Sequence, residues 1–263
     1  MRPKRSILYP SLSPIVLAPL FALLLVSLGA FAQTADDVIA KYVTAMGGKD
    51  KLQSIRSVYQ EGVAVMQNGT EINSKLWKVN NKLFRQEISF GMGNVIVIVT
   101  PQKGWSMNPR SGGSFTAMAD EQVKTLQSQL DCAGPLVDYA AKGNKPELLG
   151  KDTINGNECY KIRLTLASGR AITYSIDVKT SYILRESYKG GGMMGGGGGR
   201  RPGGTNGGGD GEINVDYSDY QKTPDGYIFP YTIVAGGFGA KTSVEKLEVN
   251  KPVDEAALSK PSN

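Results

Sequence analysis

Histidine is absent from the chain, and no other gap in the composition excludes as much. Ser-His-Asp hydrolysis, Cys-His catalysis and zinc sites built on imidazole go with it. Cysteine is nearly as scarce. Cys132 and Cys159 are too few for a four-thiolate metal site. In an oxidising compartment they could form one disulfide contributing about 3 kcal/mol, or they stay as two buried thiols. A strong charge is missing too. The formal net charge is +6, of which Arg2, Lys4 and Arg5 supply three, so residues 33–263 carry +3. A small charge without a basic stripe argues against nucleic acid as a partner.

Long apolar runs are confined to the amino terminus. Arg2, Lys4 and Arg5 precede an apolar stretch at 15–28 and then Ala30-Phe31-Ala32. That is the layout of a secretory signal peptide, with cleavage expected between Ala32 and Gln33. Pro14, Pro19 and the shortness of the run count against a retained membrane anchor. No downstream run is long enough to span a bilayer, and the cysteine needed for a lipid anchor does not follow the cleavage point. The expectation is an exported protein, periplasmic or secreted, with residues 33–263 as one β domain.

What is present is strand after strand. Segments 159–166, 170–178, 182–188, 212–221, 227–235 and 242–250 carry period-two patterning. Tyr160, Ile162 and Leu164 alternate with Lys161, Arg163 and Thr165, and Ile172, Tyr174 and Ile176 with Thr173, Ser175 and Asp177. Asn155-Gly156, Ser168-Gly169, Asp225-Gly226 and Gly236-Gly237 supply hairpin chemistry between them. Four further strands are expected at 56–67, 70–80, 83–90 and 94–100, with Asn68-Gly69 turning the first pair, and a short one starts at Trp105. The run Val95-Ile96-Val97-Ile98-Val99 is apolar on both faces, so it needs cover on both sides, from the chain or from a ligand.

Helical signals are few. Thr34 and Asp37 form a capping box ahead of Val38, Ile39, Tyr42, Val43 and Met46, and Gly47-Gly48 stops the helix. A helical turn is expected at 49–54. Asp120 reads as the N-cap of a helix reaching Leu130, with Val123 and Leu126 inward, and Pro135 as the first residue of a short helix through Ala141. The fold class that follows is α+β: a large antiparallel, unclosed β-barrel or half-barrel of about eleven to twelve strands with helices covering one face. Between two strands lies a low-complexity insert at 190–211, in which fourteen residues are glycine. It lacks the Gly-Lys-Ser/Thr ending of a phosphate loop and is expected to be disordered. Met193-Met194 as a soft-metal site and Arg200-Arg201 as an anion contact are the functional alternatives there.

Several of these residues resemble secreted bacterial proteins related to the outer-membrane lipoprotein-sorting family (LolA/LolB-like). They are the 34–42 helix followed by Met46-Gly47-Gly48-Lys49-Asp50-Lys51-Leu52, Asn155-Gly156 before Tyr160, Tyr174-Ser-Ile-Asp177, Asp225-Gly226 before Pro230, and Val249-Asn250 with Val253, Asp254, Leu258 and Pro261. The likeness covers the chain from 34 onward except the glycine insert, and its motifs are helix stops and turns. It implies an unclosed antiparallel barrel with a helical lid over an apolar cavity that holds acyl chains of a lipoprotein or lipid.

The leading expectation is therefore a non-catalytic periplasmic carrier, with no cofactor or metal, whose partners are lipid or lipoprotein acyl chains. Candidate lining residues are Trp77, Phe84, Ile88, Phe90, Val97, Trp105 and Met107, each of which also reads as ordinary core. One rival is an envelope interaction or sensor module with a filled core and a protein partner. Another is a hydrolase built on paired carboxylates, drawn from Asp177, Glu186, Asp216 and Asp219, since glycoside hydrolysis needs no histidine.

Overall fold

The computed structural model describes residues 33–66, 69–91, 93–109, 112–189, 211–235 and 241–261. The expected signal peptide and the glycine insert up to residue 210, with its two methionines and two arginines, lie outside the described residues.

Two meanders make one sheet. The first is β1 (Ser57–Val65), β2 (Glu71–Val79), β3 (Leu83–Phe90), β4 (Gly93–Val99), β5 (Gly104–Met107) and β6 (Phe115–Ala117). The second is β7 (Lys145–Ile154), β8 (Asn157–Thr165), β9 (Ala171–Asp177), β10 (Ile183–Lys189), β11 (Glu212–Lys222), β12 (Ile228–Ala235) and β13 (Lys241–Val249). Pairing of β1 with β13 joins them into thirteen antiparallel strands, running β6-β5-β4-β3-β2-β1-β13-β12-β11-β10-β9-β8-β7. The sheet does not close: β6 and β7 are its two edges.

This is the expected half-barrel, with two more strands than the patterning marked. Both additions are edge strands, where the alternation signal is weakest. β6 has three residues. β7 is mostly exposed, contains Pro146, and is bulged between Leu148 and Gly150.

Helices α1 (Ala35–Ala45) and α2 (Lys49–Gln53) precede the sheet. The capping box holds as expected: the Thr34 hydroxyl accepts from the Asp37 N–H at 3.1 Å, and the Asp37 carboxylate accepts from the Thr34 N–H at 3.1 Å. Gly47, at φ 106°, ends α1. α3 (Asp120–Leu126) runs into a 3-10 turn, Gln127–Leu130. Asp120 is its first helical residue and Ala119 the cap, whose N–H is bonded by the Gln122 side chain at 3.1 Å. The expected helix from Pro135 is instead a series of turns. Asp138 takes φ 55° there, a left-handed conformation that no helix continues through. A last short helix, α4 (Glu255–Leu258), follows β13.

Because β6 and β7 lie at opposite edges, the segment 118–144 that joins them must cross the sheet from rim to rim. It does so over the inner face, and both inner cores depend on it. The larger core packs Val38, Ile39 and Tyr42 of α1 against Ile162, Leu164, Tyr174 and Ile176, with Leu136 and Val137 of the crossing segment. The smaller packs Val123 and Leu130 against Phe84, Val97 and Val99. Gly104 permits the close seat of α3, since a Cβ there would stand 2.9 Å from the Met118 sulfur and 3.0 Å from Val123. On the outer face a third core joins Val79, Leu83, Ile96 and Ile98 to Val253 and Leu258 of the carboxyl-terminal segment. The doubly apolar strand β4 is thus covered on both sides by the chain itself.

Candidate functional site: a recess on the inner face

Register decides which side chains share the inner face. Val58 pairs with Lys78, Lys78 with Phe84, and Phe84 with Val99, so these four point inward together. Two residues on along each strand come Leu76, Gln86 and Val97, and then Ile88 and Val95. Burial grades along these rows. Phe84 and Val99 are 1% and 0% exposed, whereas Ile72, Leu76, Ile88, Phe90 and Val95, nearer the hairpins at the other end, are only half-buried. The facing strands differ from one another instead of grading along their length: on β8 and β9 the inward residues are buried as far as Ile172 at the hairpin end. Tyr174 is 2% exposed, while Ile213, Val215, Tyr217 and Ile233 are half-buried. The helices cover part of the inner face and leave its other apolar side chains only half-buried, and that stretch is the candidate recess.

The inner end of that recess is polar. Glu186 on β10 pairs with Tyr174 and Val215, and therefore also points inward. Burial pushes its carboxyl above the usual carboxylate value, although Lys78 and the Tyr217 hydroxyl act in the opposite sense. Burial likewise pulls the Lys78 ammonium down and raises the Tyr217 hydroxyl. All three side chains nonetheless keep some accessible surface. Four strands separate β2 from β10 in the sheet order. Flat, they would stand roughly 24 Å apart. That Lys78 and Glu186 act on each other reflects the curl that brings these inner faces toward one another.

Arg170, in the turn between β8 and β9, reaches across to α3. Its guanidinium donates to the Thr125 carbonyl of α3 at 2.9 Å and lies 4.7 Å from the Tyr188 ring centroid. It ties the crossing segment to the far half of the sheet.

The seven candidate lining residues divide between the two faces. Phe84, Ile88, Phe90 and Val97 are on the inner face; Trp77, Trp105 and Met107 are on the outer. The short turn at 80–82 pairs Val79 with Leu83, which sets Lys78, not Trp77, opposite Phe84. Trp105 and Met107 pair with Ile98 and Ile96, the outward residues of β4. The two tryptophans border grooves beside the carboxyl-terminal segment. One, of about 210 Å³, holds Trp77 next to Tyr59, with ring centroids 5.1 Å apart. The other, of about 630 Å³ and more open, holds Trp105 with Lys82 and Glu255. Sequence reasoning missed Lys78 and Tyr217, whose only signal was their place on apolar rows, and named Glu186 only as a candidate hydrolytic carboxylate.

The four carboxylates do not converge. Asp177 caps a turn, accepting from the Thr180 N–H at 2.7 Å. Asp216 pairs with Arg185 at 2.5 and 2.8 Å on the outer face, and Asp219 accepts from Gln221 at 2.8 Å. Glu186 is alone inside, so these residues do not form the acid pair that glycoside hydrolysis requires. Cys132 and Cys159 are both free thiols. Cys132 packs against the inner core, whereas Cys159 is next to the inward Tyr160 on β8 and so faces the other way. Burial pushes each thiol up to about 11. Among the described residues no group of His, Cys, Asp or Glu could hold a metal ion, and no helix is long and apolar enough to cross a membrane.

No protein-family model and no curated protein matches the sequence. Solved structures do match. A LolA superfamily protein from Nitrosomonas europaea is 11% identical, with 87% of this chain and 99% of that one covered at a TM-score of 0.52. A DUF1329 family protein from Desulfovibrio piger is 13% identical, with 86% and 98% covered at a TM-score of 0.51. At such identity the likeness is one of architecture: the chain shares its fold with these two proteins.

Proposed function

We propose that this chain is an exported binding protein that carries a lipid, or the acyl chains of a lipoprotein, in the recess of the inner face, without catalysing a reaction. One observation carries the reading: inward apolar residues left half-buried beside fully buried neighbours, with Ile88, Phe90 and Val95 on β3 and β4 and Ile213, Val215 and Ile233 on β11 and β12. Such a surface gains about 0.8 kcal/mol for each methylene it takes out of water. The carrier-type fold and the signal-peptide layout support the same reading, and both favour the cell envelope as its place.

The test uses residues 33–263 purified from a native envelope, extracted and examined by mass spectrometry. Stoichiometric lipid is expected, as is uptake of a polarity-sensitive fluorescent fatty acid that Ile88→Trp blocks by filling the recess. Lipid-free protein that takes up no probe would overturn the proposal. Recovery of one stoichiometric protein partner in place of lipid would favour an envelope interaction module.

A further inference from the structure

Lys78 is out of character with its surroundings. Its ammonium group is enclosed on the inner face, 5.8 Å from the Phe84 ring centroid, and its hydrogen bond is a long one of 3.3 Å to the neutral Gln129 side chain. Among the described residues no carboxylate lies within ion-pair distance of it. The two carboxylates whose field reaches it do not pair with it. Asp131 holds Lys142 at 2.6 Å, and Glu186 points inward from β10, beyond ion-pair distance. Beside Gln129 in the same 3-10 turn, the Ser128 hydroxyl is buried with no hydrogen-bond partner. A part-buried ammonium without a counter-ion and a buried hydroxyl without a partner are both costly. An anionic oxygen group at Lys78 would relieve the first, and the orphan hydroxyl marks the same stretch of the crossing segment as unsatisfied.

The polar and apolar parts of the recess have a fixed order. Lys78 lies in the row of Phe84 and Val99, at the helix-covered end. The half-buried apolar rows run from there toward the hairpin end. We infer that the recess takes a single-chain amphiphile head first, its free carboxylate or phosphate at Lys78 and its tail along Leu76, Ile88 and Val95. This rests on the recess being a lipid site, and it narrows the occupant. The acyl chains of a lipoprotein have their polar end tied to a protein and cannot enter in that direction. A free acidic lipid can.

The experiment measures competition against a neutral fluorescent lipid by matched pairs: palmitate against methyl palmitate, and lysophosphatidate against monoacylglycerol. The wild-type chain should favour the acidic member of at least one pair by about tenfold or more, as a charge-assisted contact implies. Which pair shows the preference identifies carboxylate or phosphate. Lys78→Met should equalise the pair while still binding the neutral member, and Lys78→Arg should restore part of the preference. Removing an unpaired buried charge should not unfold the protein, which a melting curve checks, and the wild-type comparison stands even if that variant fails. Equal binding of acidic and neutral members by wild type would overturn the inference and leave the lipid site standing. So would a preference that survives Lys78→Met. Binding of neither member would remove both.

Discussion

The two flanks of the sheet bury their strands differently. On the β7–β10 side one face packs against α1 and the crossing segment, and the strands alternate cleanly between Ile162, Leu164 and Tyr174 inside and Lys161, Arg163 and Thr173 outside. On the β3–β5 side both faces are covered, by α3 within and by the carboxyl-terminal segment without. One-sided burial writes itself into the sequence as a period of two. Two-sided burial erases that period, so Val97 and Ile98 look alike although they belong to different cores.

That contrast can be broken by substitution. The largest effect is expected at Ile162, fully buried in the one-sided flank. Ile162→Ala should cost about 2–5 kcal/mol in urea unfolding, because neither α1 nor the sheet can move to fill the space. A smaller loss, of about 2 kcal/mol, is expected on deleting residues 251–263, which removes Val253 and Leu258 from the outer core. It also takes away the Leu258 carbonyl that Arg85 bonds at 3.1 Å. Hydrogen exchange should quicken in β3–β5 and stay unchanged in β8–β10. Equal quickening in both would show that the two flanks unfold as one.

Arg170→Ala comes next, at about 1 kcal/mol for a lost side-chain bond to a backbone carbonyl. Its signature should be faster amide exchange in α3 and quicker release of a bound probe. The smallest effect concerns acidity. With the Glu186 carboxyl held above its usual 4.5, the folded chain keeps a proton that the unfolded chain has already released. Stability should therefore fall as pH rises through that usual value toward the raised one, with no penalty below it. Glu186→Gln should flatten this decline, becoming more stable than wild type at pH 7 and indistinguishable from it at pH 3 in thermal melts.

Most of the frame was legible along the chain. The Thr34 cap, the Gly47 stop, and the Asn155-Gly156 turn with φ of 49° and 83° were all carried by local chemistry. β7 was hidden because its exposed residues lack alternation, and the turn run after Pro135 because nothing local announces a left-handed aspartate at 138. The site was harder to read. Trp77 and Phe84 are both large and apolar, and composition ranks them together. Only the two-strand register across 80–82 sends them to opposite faces, and only curvature says which face is hollow. Lys78 was legible as a residue on an apolar row but not as a ligand candidate, since its isolation depends on strands more than a hundred residues away in sequence.

The segment that runs from rim to rim has a mechanical meaning. A closed barrel has its girth dictated by strand number and shear. This one is an arc, and residues 118–144 act as the string drawn across the bow. Shortening that string by a few residues should tighten the arc and narrow the opening, and lengthening it should slacken both. The girth of the arc would thus be set by a stretch of chain containing hardly any sheet at all.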